Sequence, residues 1–354
     1  AITFFHNTDY KHSAHKRGQG ICDGLTLSFL YLFLSTGSTV ALKLIRKDRT
    51  RLESFLQELH VSVLVGRHDS IIYTYPIHVL ALDHFLIVQD FAPCGTLHSI
   101  IEPRNGVPEE KMKRCAEQLA SALWYMHSKH QLIHGDLKPD NVLLMDKDCH
   151  QIKLADFGHA RSIGQLVGRM SHIIPHMCPE ICCLQENEYL YLTQSVDVWA
   201  FGILLYVALT GYFPWEKALE LDHCFNVFAE WQNGGDYAAP PNGWETFTGE
   251  AMGMFSSLLT LDPVTRSTFE HFSGFLQSPW RTDGLIDHVV VEGEAFLVTT
   301  EEGLDQILII PGDNEMILIE TEGNVEYVEI EETVEESEDI LLPQSFLSLS
   351  KEAV

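Results

Sequence analysis

The sequence predicts an α+β chain of two lobes, a small β-rich one followed by a larger helical one. Three observations carry that expectation. Short β-favouring runs with one helical period fill residues 18–90, helical periods dominate residues 91–280, and short Val/Ile/Leu runs split by Glu, Asp and Gly occupy 281–354. Residues 1–17 read as an N-terminal extension, 18–280 as one domain and 281–354 as an acidic extension, partly β or disordered. The junction of a β lobe with an α lobe leaves a cleft, where ligands tend to bind.

In the first lobe, Leu25 to Leu34 and Thr39 to Ile45 are apolar runs joined through Ser35-Thr36-Gly37-Ser38, which reads as a hairpin. Arg51 to Val65 sets Leu52, Phe55, Leu56, Leu59, Val63 and Leu64 at helical spacing, and strand-like runs follow over Ile71 to Leu80 and Phe85 to Gln89. In the second lobe Pro108 opens a helix in which Met112, Cys115, Leu119, Leu123 and Met126 recur on one face. Thr193 to Thr210 is apolar nearly all round and stops at Gly211, the pattern of a buried central helix. Beyond His288, Val289 to Val291, Ala295 to Val298, Ile307 to Ile310 and Met316 to Ile319 read as strands of a small meander, with Pro311 to Asn314 as a turn. Glu326 to Asp339 repels itself and reads as disordered.

Composition excludes several classes of function. The chain has 354 residues, a net charge of -27 and 45% hydrophobic residues, enough for a large core. Its longest apolar run, Val198 to Leu209, is too short to span a bilayer as a helix. The negative charge removes the usual drive toward nucleic acid or anionic lipid, so neither partner is expected. Charge is uneven: residues 281–354 carry net -18 and residues 1–280 net -9. Eight cysteines without a CxxC pair suggest reduced thiols, not disulfides or zinc, and the scattered histidines suggest no structural metal. Ala1 to Asn7 has no basic-then-apolar signal pattern, so a cytoplasmic location is expected.

The most specific segment is His134-Gly135-Asp136-Leu137-Lys138-Pro139-Asp140-Asn141, with Asp156-Phe157-Gly158 fifteen residues after Asn141. It resembles the catalytic loop and metal-binding motif of protein kinases. Val40-Ala41-Leu42-Lys43 is similar to that family's strand lysine motif, Cys178-Pro179-Glu180 to its A-P-E motif, and Asp197-Val198-Trp199 to its central helix. Tyr125-Met126-His127, Val198 to Gly202, Leu209-Thr210-Gly211 with Phe213-Pro214-Trp215, and Phe228 to Gln232 narrow the resemblance to the SH3-domain-binding serine/threonine kinases, over residues 18–280.

That resemblance implies a two-lobed kinase-like fold that transfers the γ-phosphate of ATP to Ser or Thr hydroxyls of a protein substrate, with Mg²⁺. Phosphoryl transfer leaves the protein little covalent work; metals must be held, a triphosphate anchored and a hydroxyl aimed in line. Asp156 would ligate one Mg²⁺ and Asn141 a second, Asp136 would orient the hydroxyl and accept its proton, and Lys138 would face the moving phosphate. Lys43 would contact the α- and β-phosphates, steadied by Glu58. Glu53, five residues earlier, points about 140° away on the helix. Gly18 and Gly20 would cover the phosphates. The connection Asp90 to Ala92 would hold adenine through its backbone, with Gln89 at the back of the pocket. Glu180 and Arg266 would form a buried ion pair.

Departures from the family's pattern qualify the expected activity. The third glycine of Gly18-Gln19-Gly20-Ile21-Cys22-Asp23-Gly24 comes one position late, which weakens nucleotide grip without abolishing it. Gly135 stands where many kinases carry an arginine that reads an activation phosphate, so activity should not need one. Ile173 replaces a threonine whose hydroxyl would hold Asp136 and Lys138, and His176 replaces a tyrosine; looser orientation of Asp136 is expected. No two prolines lie three apart, so SH3 binding is not carried over. Two readings therefore stay open: an active serine/threonine kinase, supported by the acids and lysines, and a scaffold with the same fold and little catalysis, supported by the glycine loop and Ile173. The acidic extension could serve autoinhibition or partner docking, or be only a solvated charge run.

Overall fold

In the computed structural model the described residues are 26–33, 39–76, 83–234 and 240–282, with four further strands between 293 and 328. Gly18, Gly20, Val289 to Val291 and residues 329–354 lie outside them. The chain divides between Leu285 and Ile286 into two compact units.

The first unit opens with a four-stranded antiparallel sheet of order β1-β2-β4-β3, built from β1 (Thr26–Phe33), β2 (Thr39–Arg46), β3 (Thr74–Tyr75) and β4 (His84–Asp90). Successive strand residues face opposite sides. Val40 and Leu42 on one side cluster with Leu86 and Val88, while Ile45 on the other packs with Ile87, Phe55 and Leu59. Phe55 and Leu59 belong to α1 (Leu52–Val65), and Phe55 stacks on Phe85 with centroids 4.4 Å apart. Lys43 shares a face with Ile45, so the alternation that buries Ile45 against α1 also turns the lysine toward that helix.

Of the strand expected over Ile71 to Leu80, the described residues 71–76 contain Thr74–Tyr75, and residues 77–80 lie outside them. Ile71 and Ile72 are fully buried in the core of the other lobe, where the Ile72 N–H donates to Leu154 O at 2.9 Å. Burial in a second core overrides their strand propensity.

The helical lobe is organised by α2 (Glu109–His130) and α4 (Ser195–Thr210). Pro108 caps α2 instead of occupying its first turn, and every α4 residue except Val196 is buried. Gly211 ends α4 at φ +79°, where an added Cβ would meet Glu102 O at 2.3 Å. Only glycine fits that left-handed close approach. The shorter elements α5 (His223–Gly234) and α6 (Gly249–Leu258) complete this lobe, with an aromatic cluster of Tyr206, Trp215, Phe228, Trp244, Phe247 and Phe255 between them and α4.

Between α2 and α4 run β5 (Leu132–Ile133), β6 (Val142–Leu144), β7 (Ile152–Leu154), β8 (Arg161–Ser162), β9 (Leu166–Gly168), α3 (Pro179–Cys182) and β10 (Tyr189–Tyr191). β5 pairs with β8 and β6 with β7. β9 pairs with β10, and that ladder continues through Gly164 N–H to Leu192 O at 2.7 Å and Leu192 N–H to Gln165 O at 2.9 Å.

The second unit contains two antiparallel hairpins, β11 (Gly293–Thr299) with β12 (Asp305–Pro311) and β13 (Ile317–Thr321) with β14 (Asn324–Val328). β14 takes in Glu326 to Val328 at the start of the stretch read as disordered; residues 329–339 of it lie outside the described residues. Among the described residues no helix is long and apolar enough to cross a membrane.

Candidate active site

The hairpin, α1 and the β6–β7 region converge on Lys43. Its Nζ lies 2.7 Å from Glu58 Oε1 and 2.8 Å from Asp156 Oδ1, with the lysine side chain 8% exposed. Glu58 follows one turn after the buried Phe55 and beside Leu59, so the face of α1 that covers the sheet also delivers the carboxylate; Glu53 is exposed. Burial by itself would lower the Lys43 pKa, but the charges of Asp156 and Glu58 raise it above its ordinary value. Burial raises Glu58, Lys43 opposing it. Asp156 would be raised by burial too, yet Lys43 holds it below its ordinary value. Asp156 has φ +67°, a left-handed backbone that costs a non-glycine residue energy and is found where a site dictates it.

Asp136 sits on the segment between β5 and β6 and is nearly buried. Lys138 Nζ lies 2.8 Å from its Oδ2. The Asn141 amide donates to Asp136 O at 2.7 Å and to Oδ2 at 3.2 Å. His176 Nε2 lies 3.3 Å from Oδ1. Burial pushes the Asp136 carboxyl up, but hydrogen bonds from His176 and Lys138 and the Lys138 charge more than reverse it, holding it far below the usual carboxylate range. This corrects the expectation that Ile173 leaves Asp136 loosely oriented: the carboxylate is gripped on both oxygens, and His176 contributes a contact that no motif announced.

The loop carrying Asp136 is anchored from beneath. Asp197, fully buried at the start of α4, accepts from His134 N–H at 2.7 Å and Gly135 N–H at 2.9 Å and contacts His127 Nε2 at 2.7 Å. His134, also fully buried, places Nε2 3.0 Å from Ala155 O and its ring against Phe157. Gly135 has φ +77°, and a Cβ there would meet His159 O at 2.6 Å. In this chain the left-handed backbone and the nearby carbonyl favour glycine at that position.

Asp90 closes β4; its N–H donates to Tyr73 O at 3.0 Å and its carboxylate accepts from Tyr75 OH at 3.0 Å. Ala92 is half-buried in the connection that follows, and Gln89 is buried with its amide on Thr74 Oγ1 at 3.0 Å. Arg266 pairs twice with Glu180, at 2.7 and 3.0 Å.

The donor set suits a hard cation. Asn141 spends its amide hydrogens on Asp136, which leaves its side-chain carbonyl oxygen for a ligand; just after β7, the Asp156 side chain is 41% exposed and the preceding Ala155 N–H donates to Asn141 O at 2.9 Å. Carboxylate and amide oxygens are the ligands Mg²⁺ prefers.

With that geometry in view, the sequence was compared with known proteins. The family model described as "Protein kinase domain" matches residues 26–281. The chain belongs to the protein kinase family. Serine/threonine-protein kinase SBK1 of Danio rerio is 41% identical over 248 residues, 70% of this chain and 64% of that protein. The protein of the same name from Mus musculus is 40% identical over 248 residues, covering 59% of its length. Serine/threonine-protein kinase SBK2 of Homo sapiens is 37% identical over 266 residues, 75% of either chain. Within the kinase family the chain is therefore of the SBK group, although it spans less than two thirds of the length of the SBK1 relatives. The two-lobed kinase fold follows from the same match.

Proposed function

We propose that this kinase-family chain transfers the γ-phosphate of ATP to seryl and threonyl hydroxyls of protein substrates, with a catalytic domain over 18–280 and 281–354 as a separate extension. The observation that carries the reading is the Lys43 ammonium held between Glu58 and Asp156 while Asp136, Lys138 and Asn141 meet one strand pair away. Glu58 fixes a lysine aimed at the α- and β-phosphates. Asp156 and Asn141 would hold Mg²⁺, which when bound neutralises phosphate charge. Asp136, kept ionised, orients the acceptor hydroxyl and takes its proton; Lys138 stays beside the same carboxylate, where the transferred group arrives. Asp90 and Ala92 would meet adenine through main-chain groups, and Gly18 and Gly20 would cover the phosphates.

Labelled ATP, Mg²⁺ and a generic basic protein test this directly. Wild type should label serine and threonine, and Asp136→Asn should not. Binding of nucleotide and Mg²⁺ with no transfer by wild type would favour the scaffold reading instead.

Two further results are expected. Glu58→Gln should lower turnover by about tenfold to a hundredfold, because the phosphate-contacting lysine loses its orienting charge; Glu53→Gln, exposed on the opposite face of α1, should leave it unchanged. Equal losses in steady-state assays would overturn the assignment of Glu58. Secondly, treating active protein with phosphatase should not change turnover. The segment from β8 to β10 is held by main-chain pairing, and Gly135 supplies no arginine to read a phosphate.

A further inference from the structure

Asp136 has to do two things that compete. Its carboxylate must be held still, and it must keep a lone pair for an incoming hydroxyl. A carboxylate offers about four lone-pair sites. Among the described residues Oδ2 receives Lys138 Nζ at 2.8 Å and Asn141 Nδ2 at 3.2 Å, which fills that oxygen. Oδ1 receives His176 Nε2 at 3.3 Å and, among the described residues, no second contact is seen. The open acceptor direction is therefore on Oδ1, next to the imidazole.

We propose that His176 is a positioning residue for phosphoryl transfer: its Nε2–H pins one side of Asp136 Oδ1, so that the remaining lone pair faces the substrate hydroxyl. The contact is well placed for this. Both side chains are nearly shielded from water, 11% exposed for His176 and 12% for Asp136, and the facing carboxylate is ionised, so the proton of the bond sits on Nε2. His176 lies on the segment leading into α3, three residues from Ile173, and its imidazole reaches Asp136 Oδ1 from there. The side chain at 173 is apolar, so on this stretch the donor for Asp136 is the imidazole of His176.

The proposal rests on the kinase reading, and two measurements separate the fates of the two. His176 also lines a cavity of about 360 Å³ with Leu137, Ile174 and Met177, which leaves room for other side chains to fold there. With ATP and a basic protein, His176→Phe should lower kcat by about tenfold with KM for ATP unchanged, whereas His176→Gln, which keeps an N–H donor, should retain most of kcat. The second measurement needs no catalysis. In a thermal-unfolding cycle, His176→Phe should lower the midpoint in the Asp136 background and shift it much less in the Asp136→Ala background. Full turnover by His176→Phe, equal loss in the Phe and Gln variants, or additive midpoint shifts would each overturn the proposal. A wild type that transfers no phosphate would sink the kinase reading, and the cycle alone would then decide the contact.

Discussion

Lys43→Met is expected to abolish most phosphate transfer and to make stability fall more steeply as pH rises. The loss of transfer should be about a hundredfold to a thousandfold, the range found when one charge-stabilising donor is removed from an enclosed site. The effect on the fold follows from what remains. Lys43 is the cation between Glu58 and Asp156, and without it Glu58, 11% exposed, faces a second carboxylate. Removing one member of a buried pair costs about 3–5 kcal/mol. Glu58 already has a pKa raised above its ordinary 4.5 by burial, and Lys43 is what opposes the rise. In the variant the folded form therefore holds a proton that the unfolded form has released, so stability falls as pH rises from about 4.5 through the folded-state pKa. Wild type carries the Glu58 contribution in the same direction, held down by Lys43, together with an opposing one from Asp156, whose lowered pKa gives stability present above its ordinary value and lost only in acid; the variant loses that opposition. Urea titrations at pH 5 and pH 8 check both: Lys43→Met should be the more stable at pH 5. A variant equally stable at the two pH values would show that Lys43 and Glu58 do not share a buried charge balance.

Glu180→Ala should cost about 3–5 kcal/mol, a large part of the stability of a domain this size. Arg266 is wholly buried, donates Nη1 to Ser195 O at 3.0 Å and Nε to Thr260 O at 2.8 Å, and lies 4.9 Å over the Trp199 ring. These contacts fix the guanidinium but do not neutralise it. Glu180 is its carboxylate, so removing it strands a cation beneath α3. The check is the urea midpoint of Glu180→Ala against two controls. Asp148→Ala, which breaks an exposed pair with Lys111, should leave the midpoint in place. Replacing both Glu180 and Arg266 with Leu and Met should recover much of the loss, since apolar groups of similar volume leave no charge behind. A midpoint for Glu180→Ala equal to that of Asp148→Ala would exclude a structural role for the pair.

Much of the site was legible because its members sit in short ordered motifs. The resemblance called for a carboxylate beside Lys43, and helical phase separated Glu58 from Glu53, which points about 140° away. Asp136, Asn141 and Asp156 lie close together in sequence. His176 was named only as a missing tyrosine, because its partner is forty residues away and depends on how the segment before α3 folds back. Ile71 and Ile72 looked like strand for a related reason: apolar β-branched residues satisfy either a sheet or a core, and only tertiary packing chooses. The β9–β10 ladder had no local sign at all, since Leu166–Gly168 and Tyr189–Tyr191 are too short to show a period.

That ladder also bears on how freely this stretch of protein can change. Main-chain amides and carbonyls hold Gly164 to Gly168 against Tyr189 to Leu192, and every residue except proline offers the same two groups. The two strands moored in this way keep their pairing whatever side chains they carry. The exposed residues between them, Arg169 to His172 and Gln185 to Glu188, can then change while the ladder holds its course, whereas His176 and Glu180 on the same stretch are fixed by their own side-chain contacts.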